Sequence, residues 1–100
     1  MRASPARRLE WAPRALQAYI DSFAYIANQD PRTADLVRER VDHALDLILE
    51  HPGLGTSTAR RGERRYAIAN TGHVIVYRTT PAAVRVHVWY RARQNVRPQG

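Results

Sequence analysis

The sequence predicts a single α+β domain of order β-α-α-β-β-β, an antiparallel twisted sheet with an N-terminal helical hairpin packed on one face. Three observations predict it. Apolar residues recur at three- and four-residue spacing through Leu16–Ala27 and again through Ala34–Ile48, with Asp30-Pro31 between the two runs. His51-Pro52-Gly53-Leu54-Gly55 then breaks that pattern. Beyond it the period changes to two, in three short runs separated by turn residues.

Leu9–Trp11 alternates apolar and polar residues and suits a first strand that starts near Arg7. Pro13 stands where a helix accepts proline, in its first turn. Leu16, Tyr19, Ile20, Phe23, Ile26 and Ala27 form the apolar face of that helix. Asn28-Gln29-Asp30-Pro31 ends it and starts the next, with Asp30 as N-cap and Pro31 at the first helical position. In the second helix Ala34, Val37, Val41, Ala44, Leu45 and Ile48 form the buried stripe. Asp35, Arg38, Glu39, Asp42, Asp46 and Glu50 form the solvated face. Thr56–Gly62 is polar and arginine-bearing, which predicts a mobile loop. Strands follow over Arg64–Ala69, His73–Thr79 and Val84–Tyr90, joined at Asn70-Thr71-Gly72 and Thr80-Pro81-Ala82-Ala83. In the last strand Val84, Val86 and Val88 oppose Arg85, His87 and Trp89. Simple alternation puts the valines on the helices and the other three on the open face.

The 100 residues make one domain, 1–100, with residues 1–6 as a loosely ordered arm and 94–100 as a basic tail. No apolar run approaches the ~20 residues of a membrane span, and Met1–Arg8 lacks the apolar core of a secretory signal. Cysteine is absent, which excludes disulfides and thiolate metal sites, so a cytoplasmic protein of bacterial type is expected. Every basic residue is arginine, so any cation needed here is a guanidinium that clamps anions but does not release its proton. The charge is polarised. Residues 60–100 carry nine arginines against Glu63 alone, +8, whereas residues 1–59 sum to −1, giving the net +7. Such a field draws an anionic partner to the C-terminal sheet: nucleic acid, an acidic protein surface or an acidic peptide.

The ordered pieces of the chain resemble the ParE/RelE superfamily of type II toxin–antitoxin toxins over nearly the whole length. The resemblance rests on Trp11-Ala12-Pro13-Arg14-Ala15-Leu16, on Tyr25-Ile26-Ala27 with Asp30-Pro31 and Ala34, and on His51-Pro52-Gly53-Leu54-Gly55. It continues in Gly62-Glu63-Arg64-Arg65-Tyr66, Val74-Ile75-Val76-Tyr77-Arg78 and Val86-His87-Val88. The ending Arg91-Ala92-Arg93-Gln94 resembles that of the ParE branch. The resemblance implies one of two activities, poisoning of DNA gyrase for the ParE type or ribosome-dependent cleavage of mRNA for the RelE type. Cleavage needs a base for the 2′-hydroxyl, a cation for the phosphate and an acid for the leaving oxygen. The RelE branch draws these from lysines, arginines and a C-terminal tyrosine. Here lysine is absent, the tail after Arg93 has no tyrosine, and Tyr90 stands where many relatives carry histidine. These departures favour the ParE-like, non-enzymatic reading. The resemblance further implies a cognate acidic antitoxin that folds onto the toxin in a hetero-oligomer; no cofactor or metal is expected.

The candidate target- or antitoxin-binding residues are Arg64, Arg65, Arg85, Trp89, Arg91, Arg93 and Arg97. For the alternative endoribonuclease they are Arg65, Tyr77, Arg78, His87 and Tyr90. Of Arg64 and Arg65, neighbours on one strand, alternation sends one to the core side and one to solvent. Arg85, His87 and Trp89 would form an exposed stripe suited to stacking or interface contact. Tyr77 and Arg78 also read as structural, a sheet tyrosine beside an arginine paired with the second helix. His51 fits a helix end, and His43 a packing position beside the buried stripe. His43 and His73 form no metal-ligand spacing.

Overall fold

The computed structural model describes residues 7–92. The arm at 1–6 and the tail residues 93–100, including Arg93 and Arg97, lie outside the described residues. The elements are β1 (Arg8–Trp11), α1 (Pro13–Gln29), α2 (Pro31–Glu50), β2 (Thr56–Ser57), β3 (Glu63–Ile68), β4 (His73–Thr79) and β5 (Ala83–Arg91), with a single 3₁₀ turn at Pro52–Leu54. The strands form one sheet in the order β1-β5-β4-β3-β2. The expected α+β fold is present, with one refinement. β1 pairs with β5 in parallel, so the sheet is mixed, antiparallel only from β5 to β2. No described helix is long and apolar enough to cross a membrane.

One residue joins the two helices. The backbone N–H of Asp30 donates to Ile26 O and closes α1. Its carboxylate accepts from the backbone N–H of Arg32 at 3.1 Å and from the Thr33 hydroxyl at 2.9 Å, capping α2. Pro31, whose missing N–H costs nothing at a first helical position, fixes the entry angle. The stripe of α2 is buried as expected. The face of α1 is rotated from expectation. Ala15, Tyr19, Ser22 and Ile26 point at the sheet, and Leu16 and Ile20 stay exposed. Ser22 belongs to the inner face because its Oγ accepts a 3.0 Å hydrogen bond from the Trp89 indole N–H.

Trp89 sits in the core because β5 carries a bulge. Val76 pairs with Val88, but the next residue, Tyr77, pairs with Val86, which leaves His87 without an opposite number. One extra residue inverts the alternation beyond it. Val84, Val86 and Trp89 therefore face the helices, while Arg85, Val88 and Tyr90 face away. Trp89 is 5% exposed and Val88 38%. Trp89 is thus removed from the exposed stripe and centres an aromatic cluster. Its ring lies 4.8 Å from Tyr19, 6.5 Å from Trp11 and 4.7 Å from His73.

Tyr77 is fully buried on the helix side and anchors the turn after α2. Its hydroxyl accepts from Gly55 N–H at 2.9 Å and donates to Pro52 O at 2.8 Å. A side chain at Gly55 would meet Arg65 O and the Tyr77 hydroxyl at 2.8 Å, so glycine is required there for close approach. The phenol accepts one structural hydrogen bond and spends its proton on another, which takes Tyr77 out of the catalytic candidates. Tyr77→Phe would leave a buried N–H and a C=O unpaired. We expect a loss of about 1–3 kcal/mol in urea unfolding, with the far-ultraviolet spectrum unchanged.

Candidate functional site

The face of the sheet away from the helices follows from the register. Glu63, Arg65 and Ala67 of β3 lie across from Arg78, Val76 and Val74 of β4. These in turn lie across from Arg85, Val88 and Tyr90 of β5. β1 adds Glu10 beside Arg85. The result is an apolar centre of Val74, Val76, Val88 and Tyr90 with guanidinium groups around it.

The cations are not equivalent. Glu10 holds Arg8 at 2.9 Å and Arg85 at 3.6 Å, and these neighbours, Arg8 first, keep its carboxyl below the ordinary range. The Arg78 guanidinium donates to the Arg61 carbonyl at 3.1 Å, across the sheet edge rather than to α2 as the sequence suggested. Arg65 is exposed and has no ion-pair partner among the described residues. Arg64, its neighbour, points the other way. It is half-buried and donates to Gly55 O at 2.7 Å, clamping the same turn that Tyr77 anchors. The expected split of the pair is therefore observed, with Arg65 on the open face and Arg64 withdrawn from it.

The bulge has a second consequence on this face. It lets His87 reach over β4 to Glu63, with Nε2 and Oε2 2.7 Å apart. Glu63 also accepts from the Thr58 hydroxyl at 2.6 Å and is 8% exposed. Thr58 lies in the segment expected to be mobile. That segment instead adds the short strand β2, and a turn in which Gly62 takes φ +77° returns the chain to β3. The Thr58 hydrogen bond, then His87, hold the Glu63 carboxyl below the usual 4.5. A carboxyl with a depressed folded value adds stability that is full above the unfolded value and is lost as pH falls through the folded one. Glu63→Gln should therefore unfold at lower urea than the parent at neutral pH. The two should converge in strongly acidic solution, where the parent carboxyl is protonated too. Equal midpoints at neutral pH would show that the pair is energetically idle.

Chemically this face can clamp a carboxylate or a phosphate between Arg65 and Arg78. It also carries an acid–base pair, Glu63–His87, beside Arg78 and Arg85. Arg65, Arg78, Arg85, His87 and Tyr90 share the face. Tyr77, Trp89 and Arg64 are on the other, and Arg91 lines a cleft beneath α1. His43 is exposed on α2 rather than packed beside its stripe. Sequence reasoning missed Glu63, Thr58 and Val88 as members of the site. Glu63 did carry a signal, as the one acid among nine arginines in residues 60–100.

Residues 9–95 match the model of the family described as ParE toxin of the type II toxin–antitoxin system parDE. The candidate toxin Y4kP of Sinorhizobium fredii is 32% identical over 72 residues, 72% of this chain and 75% of that protein. Among solved structures, a chain of the chromosomal ParDE toxin–antitoxin system from P. aeruginosa superposes with TM-score 0.73, covering 88% of this chain and 98% of that one at 11% identity. The isolated E. coli RelE toxin gives TM-score 0.68, with 90% and 88% covered at 19% identity. A chain of the intact E. coli RelBE toxin–antitoxin complex gives 0.66, with 89% and 100% covered, also at 19% identity.

Proposed function

The chain belongs to the ParE toxin family of type II toxin–antitoxin systems, and from that premise we propose that it arrests growth by binding DNA gyrase. In this reading it catalyses no reaction of its own and is held in a hetero-oligomer by a cognate acidic antitoxin. The observation that carries the proposal is the match to the ParE branch along residues 9–95, which spans both helices and every described strand beyond β1's first residue. The open face supports it. An apolar centre edged by Arg65, Arg78 and Arg85 suits a protein surface or a folding peptide that brings carboxylates to its rim. The solved RelBE complex contains such a toxin with its antitoxin.

The deciding experiment uses the protein freed from any partner. It should inhibit supercoiling by purified gyrase and trap cleaved DNA. A folded preparation that is toxic in cells yet leaves gyrase untouched would overturn the proposal.

One observation favours a second reading, ribosome-dependent cleavage of mRNA. Glu63 orients His87 at 2.7 Å, and Arg78 and Arg85 flank the pair. A histidine so held could exchange a proton with a 2′-hydroxyl or a leaving oxygen while an arginine faces the phosphate. Induction would then produce codon-phased 5′ ends in cellular mRNA, and their absence would remove this reading.

A further inference from the structure

A cleft of about 260 Å³ lies on the opposite side of the sheet from the arginine-edged face, where α1 passes over the ends of β4 and β5. Asp21, Ser22, Tyr25 and Ile26 form its helical wall, and His73 and Arg91 its floor. His73 and Arg91 are cross-strand partners, so their positions are fixed by the ladder. His73 is 4% exposed and stacks on Trp89 with the ring planes 19° apart, yet its Nδ1 has no hydrogen-bond partner. An orphaned polar atom in a close-packed wall is unusual and calls for an explanation. Arg91, at the mouth, has no carboxylate within ion-pair distance among the described residues, although Asp21 lines the same cleft. Asp21 instead accepts from the Gln17 amide at 2.9 Å. Ser22 receives the indole N–H of Trp89 and keeps its own proton to donate.

We propose that this cleft is a second binding site for the antitoxin, taking one acidic side chain of the peptide with Arg91 as the cation, the Ser22 hydroxyl as a further donor and the His73 ring as the floor beneath it. The antitoxin as occupant rests on the reading given under Proposed function; the chemistry of the cleft does not. A carboxylate only accepts hydrogen bonds, so it is matched by the Arg91 guanidinium and the Ser22 hydroxyl. Asp21, on the opposite wall, is placed to accept a backbone N–H of the same segment. Tyr25, largely exposed at the rim, supplies apolar cover.

The site couples binding to a proton. In the free protein burial, and then the charge of Arg91, push His73 below its usual 6.5. The charged groups that face it are Arg91 from β5 and Asp21 from α1, with Tyr25 as a neutral phenol. A bound carboxylate offsets the charge of Arg91 and adds its own negative charge beside the ring, which favours the protonated form. Affinity for an acidic peptide should therefore rise on mild acidification, a direction that arginine contacts alone do not produce.

The test uses the full chain, with blocked aspartate (N-acetylaspartate N-methylamide) as probe and the ring signals of the four histidines as readout. Blocked aspartate should raise the titration midpoint of His73 by about one unit or more and leave His43 and His51 where they are. Blocked asparagine should not, and Arg91→Gln should abolish the effect while leaving the other ring signals in place. Three results overturn the proposal. The first is no response of His73 at probe concentrations to roughly 100 mM, weaker than which no useful site exists. The second is a shift of His51 as large as that of His73, which marks general charge binding. The third is an equal response of His73 to blocked asparagine, which shows that the cleft does not select a carboxylate. Each of these leaves the antitoxin reading standing, since that reading fails on a different result, the absence of any complex with an acidic partner.

Discussion

Trp89→Ala is expected to lower the unfolding free energy by about 3–5 kcal/mol, the range for deleting a buried aromatic side chain. A domain of this size has about 5–15 kcal/mol in total, so the variant gives up a large share of its stability. The cause is specific. Removing the indole empties the space between Tyr19, Trp11 and His73 and takes the donor from the half-buried Ser22 hydroxyl. Trp89→Phe keeps most of the ring contacts and loses the hydrogen bond, an expected cost of about 1 kcal/mol. Val88→Ala, one residue away on the open face, should change stability by no more than about 0.5–1 kcal/mol. An unbulged strand reverses this order, with Val88 inside and Trp89 outside. Urea unfolding of the three variants therefore reads the register directly. If Val88→Ala proved the costlier substitution, the bulge and every face assignment beyond it would be wrong.

The bulge also marks where reading the sequence stops. The α2 stripe, the Asp30-Pro31 junction, the break at His51–Gly55 and the three C-terminal strands were all legible, because each depends on the local period or on a local capping bond. Val84-Arg85-Val86-His87-Val88-Trp89 alternates without a flaw, and nothing in it announces an extra residue. The fault appears only when β5 is laid against β4, where Val76–Tyr77 spans one residue fewer. The rotation of α1 was hidden for a similar reason. Its inner face contains Ser22, a polar residue whose partner lies 67 positions away, and periodicity counts it as surface. Likewise β1 is four residues long, too short to state whether its neighbour runs parallel. The site was half legible. Charge segregation drew attention to the C-terminal strands, and simple alternation separated Arg65 from Arg64. The Glu63–His87 pair needed the bulge, so spacing along the chain could not have joined them.

Reversing charge at Arg65 and Arg78 together, as Arg65→Glu with Arg78→Glu, is expected to abolish growth arrest while leaving the fold intact. Both side chains are exposed, and the one hydrogen bond lost goes to a surface carbonyl, so Arg65→Glu should change stability by roughly 0.5 kcal/mol or less and Arg78→Glu, which sets a carboxylate across from Glu63, by up to about 1 kcal/mol. Their effect on a partner is larger. An arginine that pairs with a carboxylate of the docked partner costs about 2 kcal/mol or more when truncated, and reversal adds repulsion. Two such sites give on the order of a thousandfold weaker binding. The control needs the same change in net charge on the other side of the molecule. Arg32→Glu with Arg38→Glu, on the hairpin's outer surface, supplies it. If toxicity follows total charge, both pairs lose it equally, and the field of the whole chain matters rather than a docking face. If it follows the open face, only the sheet pair loses it, and that loss should come with slower association and a weaker dependence on salt. A sheet-face variant that unfolds at the parental urea midpoint and still arrests growth would place the target-binding surface elsewhere. The hairpin face that leaves Leu16, Ile20 and Leu36 exposed would then be the next surface to reverse.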